Sequence, residues 1–243
     1  EKRQTDKEYL WIARSVMEQL VFFHYDNGSR SQQAVNKLLE PFKGYLQSDG
    51  YNAYNIFEGK AGVYLVACMA HIRRHFETAL EENRSLSGHA LQEIQELYRI
   101  ERMADKEELS YQERASLRQK LAVPILDSLE KWMEQTYPKV LPKSRTGQAI
   151  AYAYPLWPRM KRYLGDGRIR IDNNLAENAI RPLVLSRKNF LFCGNHEAAE
   201  NTAVICSLLA TCKAQDVNPR EWLNDVIAQL PCYLEKGSGK EVK

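Results

Sequence analysis

From His71 to about Tyr163 the sequence follows helical periodicity almost without a break, and the pattern before it is rich in strands. A helical block of that length in a chain that begins with strands constrains the fold more than any other feature. It reads as an insertion between two parts of an α/β core. Within it Leu91, Ile94, Leu97 and Tyr98, then Leu117, Leu121, Ile125, Leu129, Trp132 and Met133, mark long amphipathic faces. Pro138, Pro142 and Gly147 interrupt the pattern, and Ile150 to Leu164 resumes it, with Pro155 and Pro158 predicting irregular turns.

Ahead of the block, Glu8–Ser15 and Gln19–Asp26 are aromatic and β-branched runs that predict a tightly joined strand pair. Ser31–Phe42 reads as a short amphipathic helix, Tyr45–Tyr51 as a brief strand stopping at Asp49-Gly50, and 52–58 as a short helix or turn. Val63–Ala70 is a wholly apolar strand, followed by a helix over His71–Asn83. This order predicts an α/β sheet with at least one parallel pair. Beyond the block, residues 189–194 are apolar and of undecided type. Glu197–Gln215 is a helix packed by Val204, Leu208, Leu209 and Cys212, and Asn218-Pro219 starts a last helix to Leu230. The expected segments are therefore 1–83 and 166–234 as the two parts of the core, 84–165 as the helical insertion, and 235–243 as a flexible polar tail.

With 44% hydrophobic and 27% charged residues, disordered and fibrous classes are excluded. No apolar run reaches the roughly 18 residues of a membrane helix, and the charged N-terminus is no signal peptide. Cys68, Cys193, Cys206, Cys212 and Cys232 are scattered and odd in number, and read as reduced, buried thiols. The net charge of +3 is uninformative, but its distribution is not. Between Lys139 and Lys188 lie Lys139, Lys143, Arg145, Arg159, Lys161, Arg162, Arg168, Arg170, Arg181, Arg187 and Lys188, opposed in sequence only by Asp166, Asp172 and Glu177. A local basic excess of this kind suits a polyanion, although solvated helix faces have the same composition.

Two carboxylates stand out. Asp49 lies where a strand ends in Gly, the position at which ligand sites form in open α/β sheets, while Asp-Gly is equally a turn dipeptide. Glu177 lies in Ile171-Asp-Asn-Asn-Leu-Ala-Glu-Asn178, where Asn174 and Glu177 also have the spacing of a helix-capping box. Paired, such carboxylates hold a hard divalent cation such as Mg²⁺, and two such ions serve in-line phosphoryl displacement. Cys68-x2-His71-x3-His75 has zinc-like spacing but lacks a fourth ligand. His71, Arg73 and Arg74 are more simply a basic helix start at the ligand edge of the sheet. No nucleophile elbow, Walker loop or dinucleotide fingerprint is present.

The blocks LQSDGYNAYN (46–55), CMAHIRRHF (68–76), IDNNLAENAIRPLVLSRKNFLFCG (171–194) and NPREWLNDVIAQL (218–230) together resemble the insertion sequence 66 family of bacterial transposases, in order and over essentially the whole chain. The resemblance implies a ribonuclease-H-like mixed sheet with a large all-helical insertion and C-terminal helices. It also implies an Asp-Asp-Glu triad that binds two Mg²⁺ or Mn²⁺ ions, cuts DNA at transposon ends and joins the freed 3′-hydroxyls to target DNA. By motif the second Asp falls on Asp49 and the Glu on Glu177. His71, Arg73, Arg74, Arg181, Arg187 and Lys188 become DNA-contacting candidates. A homo-oligomer on DNA, accessory transposition proteins and a cytoplasmic, nucleoid-associated location are implied as well.

The family's first Asp, in an Asp-Glu-Thr context, has no counterpart, since Asp6 sits in a charged run. The expectation is therefore that the first strand lies before Glu1, that the chain as given holds metal poorly and is inactive, and that the sheet leaves an exposed strand edge. Two alternatives stay open: a non-catalytic DNA-binding or assembly module, and a metal-dependent nuclease without strand transfer.

Overall fold

The structure, a computed structural model, describes residues 6–186, 188–189 and 193–235, with 232–235 described by backbone alone. It is mixed α/β and mostly helical. The chain divides into two compact units, one of Glu1–Arg30 with Leu175–Lys243 and one of Ser31–Asn174. The helical block shares a core with the strand Val63–Ala67 that precedes it, so both lie in the 31–174 unit.

The first unit opens with the predicted strand pair. β1 (Leu10–Arg14) and β2 (Val21–Tyr25) are antiparallel, with Leu10 opposite Tyr25 and Arg14 opposite Val21. Alternation aims Val21, Phe23 and Tyr25 inward and leaves Phe22 exposed.

The second unit begins with α1 (Gln32–Leu39), whose cap Ser31 accepts the Ala34 N–H. β3 (Gly44–Ser48) and β4 (Val63–Ala67) pair in parallel, Gly44 with Val63 and Ser48 with Ala67, joined through a 3₁₀ turn at Asn52–Phe57. The parallel pair matches expectation; the single sheet does not. Among the described residues the strands form two separate two-stranded sheets.

The apolar run predicted as a strand to Ala70 turns helical earlier, at α2 (Met69–Ala79). Met69, Ile72, Phe76 and Ala79 recur at helical spacing and all are buried, so tertiary burial decides a run whose composition fits either element. α3 (Arg84–Lys106) and α4 (Tyr111–Thr136) follow, the latter opened by a capping box of Ser110 and Glu113. α4 buries Ala122, Leu126, Leu129 and Met133, whereas the predicted Leu117, Leu121 and Ile125 only flank the core.

α5 (Arg145–Lys161) continues through Pro155 and Pro158, where irregular turns were expected. Both prolines, and Ala151 whose carbonyl Pro155 cannot satisfy, lie on the exposed side, where the freed carbonyl is not sealed in the core. Trp157 fills the centre of this core at 1% exposure and donates its indole N–H to the Leu126 carbonyl (3.2 Å).

The chain returns to the first unit with α6 (Asn174–Ser186), α7 (His196–Ala214) and α8 (Pro219–Glu235). α7 packs only in part by the residues predicted: Cys212 is buried and Leu209 half-buried. Val204 and Leu208 are exposed, and the buried face is Ala199, Ala203 and Cys212, small enough for close approach to β2. On the same side Thr211 Oγ1 accepts the Val21 N–H (3.0 Å) and donates to the Val21 carbonyl (3.0 Å). Ser207 Oγ accepts the Phe23 N–H (2.8 Å). Hydroxyls of a helix thus close the outer edge of β2, a different solution to the edge problem from a further strand.

Candidate functional site

In the 31–174 unit the candidate site is built where β3 and β4 end side by side. Asp49 follows the last residue of β3 and is exposed; its Oδ1 accepts the Tyr51 N–H (3.0 Å), the Asx turn expected of an Asp-Gly pair. Gly50 has φ of +82°, a conformation that favours glycine, and a Cβ there would lie 2.9 Å from Leu156 Cδ1, which would have to shift. The Asp49 carbonyl accepts the Tyr152 hydroxyl from α5, and the Tyr152 ring stacks on His75 of α2 with centroids 4.0 Å apart. Burial, and then the charge of Asp49, push the hydroxyls of Tyr152 and Tyr54 up to about 12. Both stay protonated at neutral pH. Burial, then His71 and Arg74, hold the His75 imidazole below its usual value and so favour its neutral form.

Beside this loop the Asp172-Asn173 segment docks on the end of β4. The Met69 N–H donates to the Ile171 carbonyl (3.0 Å), and Gln47 Nε2 donates to the carbonyls of Ala67 (3.1 Å) and Arg170 (2.9 Å). The Cys68 thiol donates to Asn173 Oδ1 (3.0 Å), and its sulfur accepts the Asn173 N–H (3.3 Å). Burial pushes that thiol up to about 11, which keeps it a donor. Asp172 accepts from the Tyr98 hydroxyl (2.8 Å) and from the backbone and side-chain nitrogens of Asn174 (3.1 and 2.8 Å). Burial first, and Asp172 second, raise the Tyr98 hydroxyl far above its ordinary range.

What fixes this segment is a fully buried arginine that the sequence reading does not single out. Arg118 of α4 reaches Glu101 through Nε (2.8 Å) and Nη2 (2.7 Å), and donates to the carbonyls of Tyr163, Asp166 and Ile169. The turn it grips also carries Gly167, where a Cβ would stand 2.0 Å from the Tyr111 carbonyl oxygen. A lone Arg in an amphipathic pattern reads as solvated; only its position between α3 and the 163–169 turn reveals the role.

The predicted site residues fall in both units. Asp49, His71, Arg73 and Arg74 belong to the 31–174 unit, with Arg73 paired to Glu77 (2.9 Å) on an exposed face of α2. Glu177, Arg181 and Lys188 belong to the other unit, and Arg187 lies outside the described residues. Glu177 is half-buried in the first turn of α6. Asn174, predicted as the cap, is instead the first helical residue, and the acceptor of its N–H is Asp172. Arg14 of β1 donates to the Leu175 carbonyl (3.1 Å) in the same turn. Behind α6, Arg14, Phe23, Ala179, Leu183, Cys206 and Lys213 are among the residues around a mainly apolar cleft of about 480 Å³.

The basic excess between Lys139 and Arg170 is largely neutralised by acidic residues from outside that stretch. Arg145 meets Glu81, Arg159 and Arg162 meet Glu58, Lys161 meets Asp127 and Glu130, and Arg170 meets Asp105. Arg181 and Lys188 are exposed and have no ion-pair partner among the described residues. No group of three or more His, Cys, Asp and Glu side chains able to hold a metal ion occurs among the described residues, so Cys68, His71 and His75 do not form a zinc site. Cys68 and Cys212 are buried, Cys193 and Cys206 half-buried, and all four are free thiols; the Cys232 side chain is outside the description. Among the described residues no helix is long and apolar enough to cross a membrane.

Comparison with known proteins accounts for the motifs. The model of the Transposase IS66 family matches residues 1–201, and that of the IS66 C-terminal element matches 207–236. Uncharacterized protein y4qI of Sinorhizobium fredii (strain NBRC 101917 / NGR234) is 34% identical over 243 residues, which cover 93% of this chain and 44% of that protein. Uncharacterized protein y4hP of the same strain is 30% identical over 224 residues, 85% of this chain and 40% of its own length. The chain thus spans less than half the length of the curated relatives it matches. No solved structure matches it significantly. With a family model matched over most of its length, the chain belongs to the IS66 family of transposases.

Proposed function

We propose that this chain is the catalytic part of a DNA transposase, working by metal-dependent phosphoryl transfer with Asp49 and Glu177 as metal ligands. The observation that carries the reading is the placement of Asp49 just past β3 of the parallel pair, at the carboxyl edge where α/β proteins bind ligands, in a chain of a transposase family. The order of antiparallel hairpin, helix and parallel pair supports a ribonuclease-H-like core.

Exposed carboxylate oxygens are hard donors of the kind Mg²⁺ or Mn²⁺ takes, and such ions keep waters and bind through one or two carboxylates plus substrate phosphates. Two bound ions would supply charge stabilisation at the attacking and leaving oxygens. Asp49 contributes negative charge on a loop braced from α5, and Glu177 contributes it from a helix first turn, where the macrodipole favours a carboxylate. Arg181 and Lys188 offer exposed cations for DNA phosphates. DNA is the partner of this activity, and we propose a homo-oligomeric assembly on it, with room for accessory transposition proteins.

The test is nicking and joining of labelled DNA with transposon ends, in Mn²⁺, by the full-length protein and its Asp49→Ala and Glu177→Ala variants. Loss of both steps with DNA binding retained supports the reading. Cutting that survives Glu177→Ala removes Glu177 from the metal set and moves attention to Asp172. Cleavage without a joined product leaves a nuclease.

A further inference from the structure

The loop that carries Asp49 runs directly into the 3₁₀ turn at Asn52–Phe57, and three contacts from α5 fasten this stretch. The Tyr152 hydroxyl donates to the Asp49 carbonyl, Leu156 packs closely over Gly50, and Arg159 Nη2 donates to Asn55 Oδ1 (2.9 Å). Tyr152 is itself held, because its ring lies flat on His75, 25° from parallel, and α2 bearing His75 packs on α5. The aromatic pair therefore links the helix that follows β4 to the residue that follows β3.

We propose that Tyr152, clamped by His75, is the positioning residue for Asp49, and that α5 acts as a backing plate for the site. This rests on the reading of Asp49 as a metal ligand, but its structural content can be tested apart from that reading. Tyr152→Phe removes one hydroxyl and keeps the ring stack, and therefore leaves the hydrophobic core intact. A carboxylate on a loop freed by that change would no longer be pre-organised for an ion.

Amide hydrogen exchange on this chain tests the proposal directly. Tyr152→Phe is expected to speed exchange at Gly50 and Tyr51 by about tenfold, the loss of one hydrogen bond, with β4 and α5 unchanged. His75→Ala is expected to act in the same direction by a smaller factor. Unaltered rates at Gly50 and Tyr51 would overturn the proposal, and so would a uniform increase through α5, which would make Tyr152 a general stability residue. Mn²⁺ titration of the same proteins, read as paramagnetic broadening of the Gly50 amide, separates the underlying reading. Broadening that needs several-fold more Mn²⁺ in Tyr152→Phe supports positioning toward the ion, and equal broadening in both proteins overturns it. Absence of broadening in the parent chain, with exchange still accelerated in the variant, refutes Asp49 as a ligand in this chain and leaves the bracing role standing.

Discussion

The two units are stabilised in different ways. In the 31–174 unit one continuous core runs from β4 through α2, α3, α4 and α5, with Trp157, Tyr163, Phe76 and Leu126 almost wholly enclosed. In the other unit the buried cluster is Val21, Phe23, Tyr25, Ala199 and Ala203, and α6 buries no residue completely. Its hairpin is tied to α7 by hydroxyl–backbone hydrogen bonds, and large apolar side chains such as Ile205, Leu208, Ile227 and Leu230 stay exposed. Apolar burial is the dominant favourable term in folding. One unit therefore owes its stability to packing, and the other depends heavily on a few polar contacts that leave much apolar surface in water.

The largest effect should come from breaking the packed unit at its centre. Trp157→Ala is expected to destabilise by about 3–5 kcal/mol through cavity formation, and Arg118→Met by a similar ~3–5 kcal/mol because Glu101 and three carbonyls lose a buried partner. Urea unfolding read by tryptophan fluorescence measures both. Adding Glu101→Leu to Arg118→Met should recover only part of the loss, since the carbonyls remain unpaired; full recovery would mean that the ion pair alone mattered.

In the hairpin unit Thr211→Val keeps shape but orphans the N–H and carbonyl of Val21, for a loss of about 1–3 kcal/mol. Loss of exchange protection at Val21 without change at Trp157 would confirm that the two units respond separately. An effect spread equally over both would mean that they unfold as one.

Acid sharpens the comparison further. The carboxyls of Asp166 and Glu113, both in the packed unit, are held below their ordinary values, Asp166 chiefly by hydrogen bonds from Arg168 and Glu113 by the Ser110 hydroxyl. A depressed folded value stabilises the fold above the unfolded value, near 3.8 for Asp166, and that contribution is lost as pH falls through the folded value. The gap in unfolding midpoint between the parent chain and Asp166→Asn should therefore narrow only below about pH 4. The smallest effect is expected at the exposed stripe of α7, where Leu208→Ser should change stability by no more than about 0.5 kcal/mol. A larger loss there would show that the exposed face is covered in solution.

Local chemistry made much of this molecule legible in advance. The hairpin, the parallel pair, the helical block and the Asx turn at Asp49 follow from alternation, helical period and turn residues, which are properties of short stretches. The family blocks single out Asp49 and Glu177, which stand as the proposed metal ligands. Four things were decided only by tertiary structure. Which face of α7 is buried depended on close approach to β2, so Ala199 and Ala203 displaced the larger Val204 and Leu208. The fate of the basic run depended on Glu58, Glu81, Asp105, Asp127 and Glu130, none of which lies within it. The bracing of Asp49 by Tyr152 joins residues 103 positions apart, and the grip of Arg118 on the Ile169 carbonyl spans 51. Period and propensity act over a few residues, whereas charge pairing, burial and hydrogen bonding act on whatever the fold brings within reach.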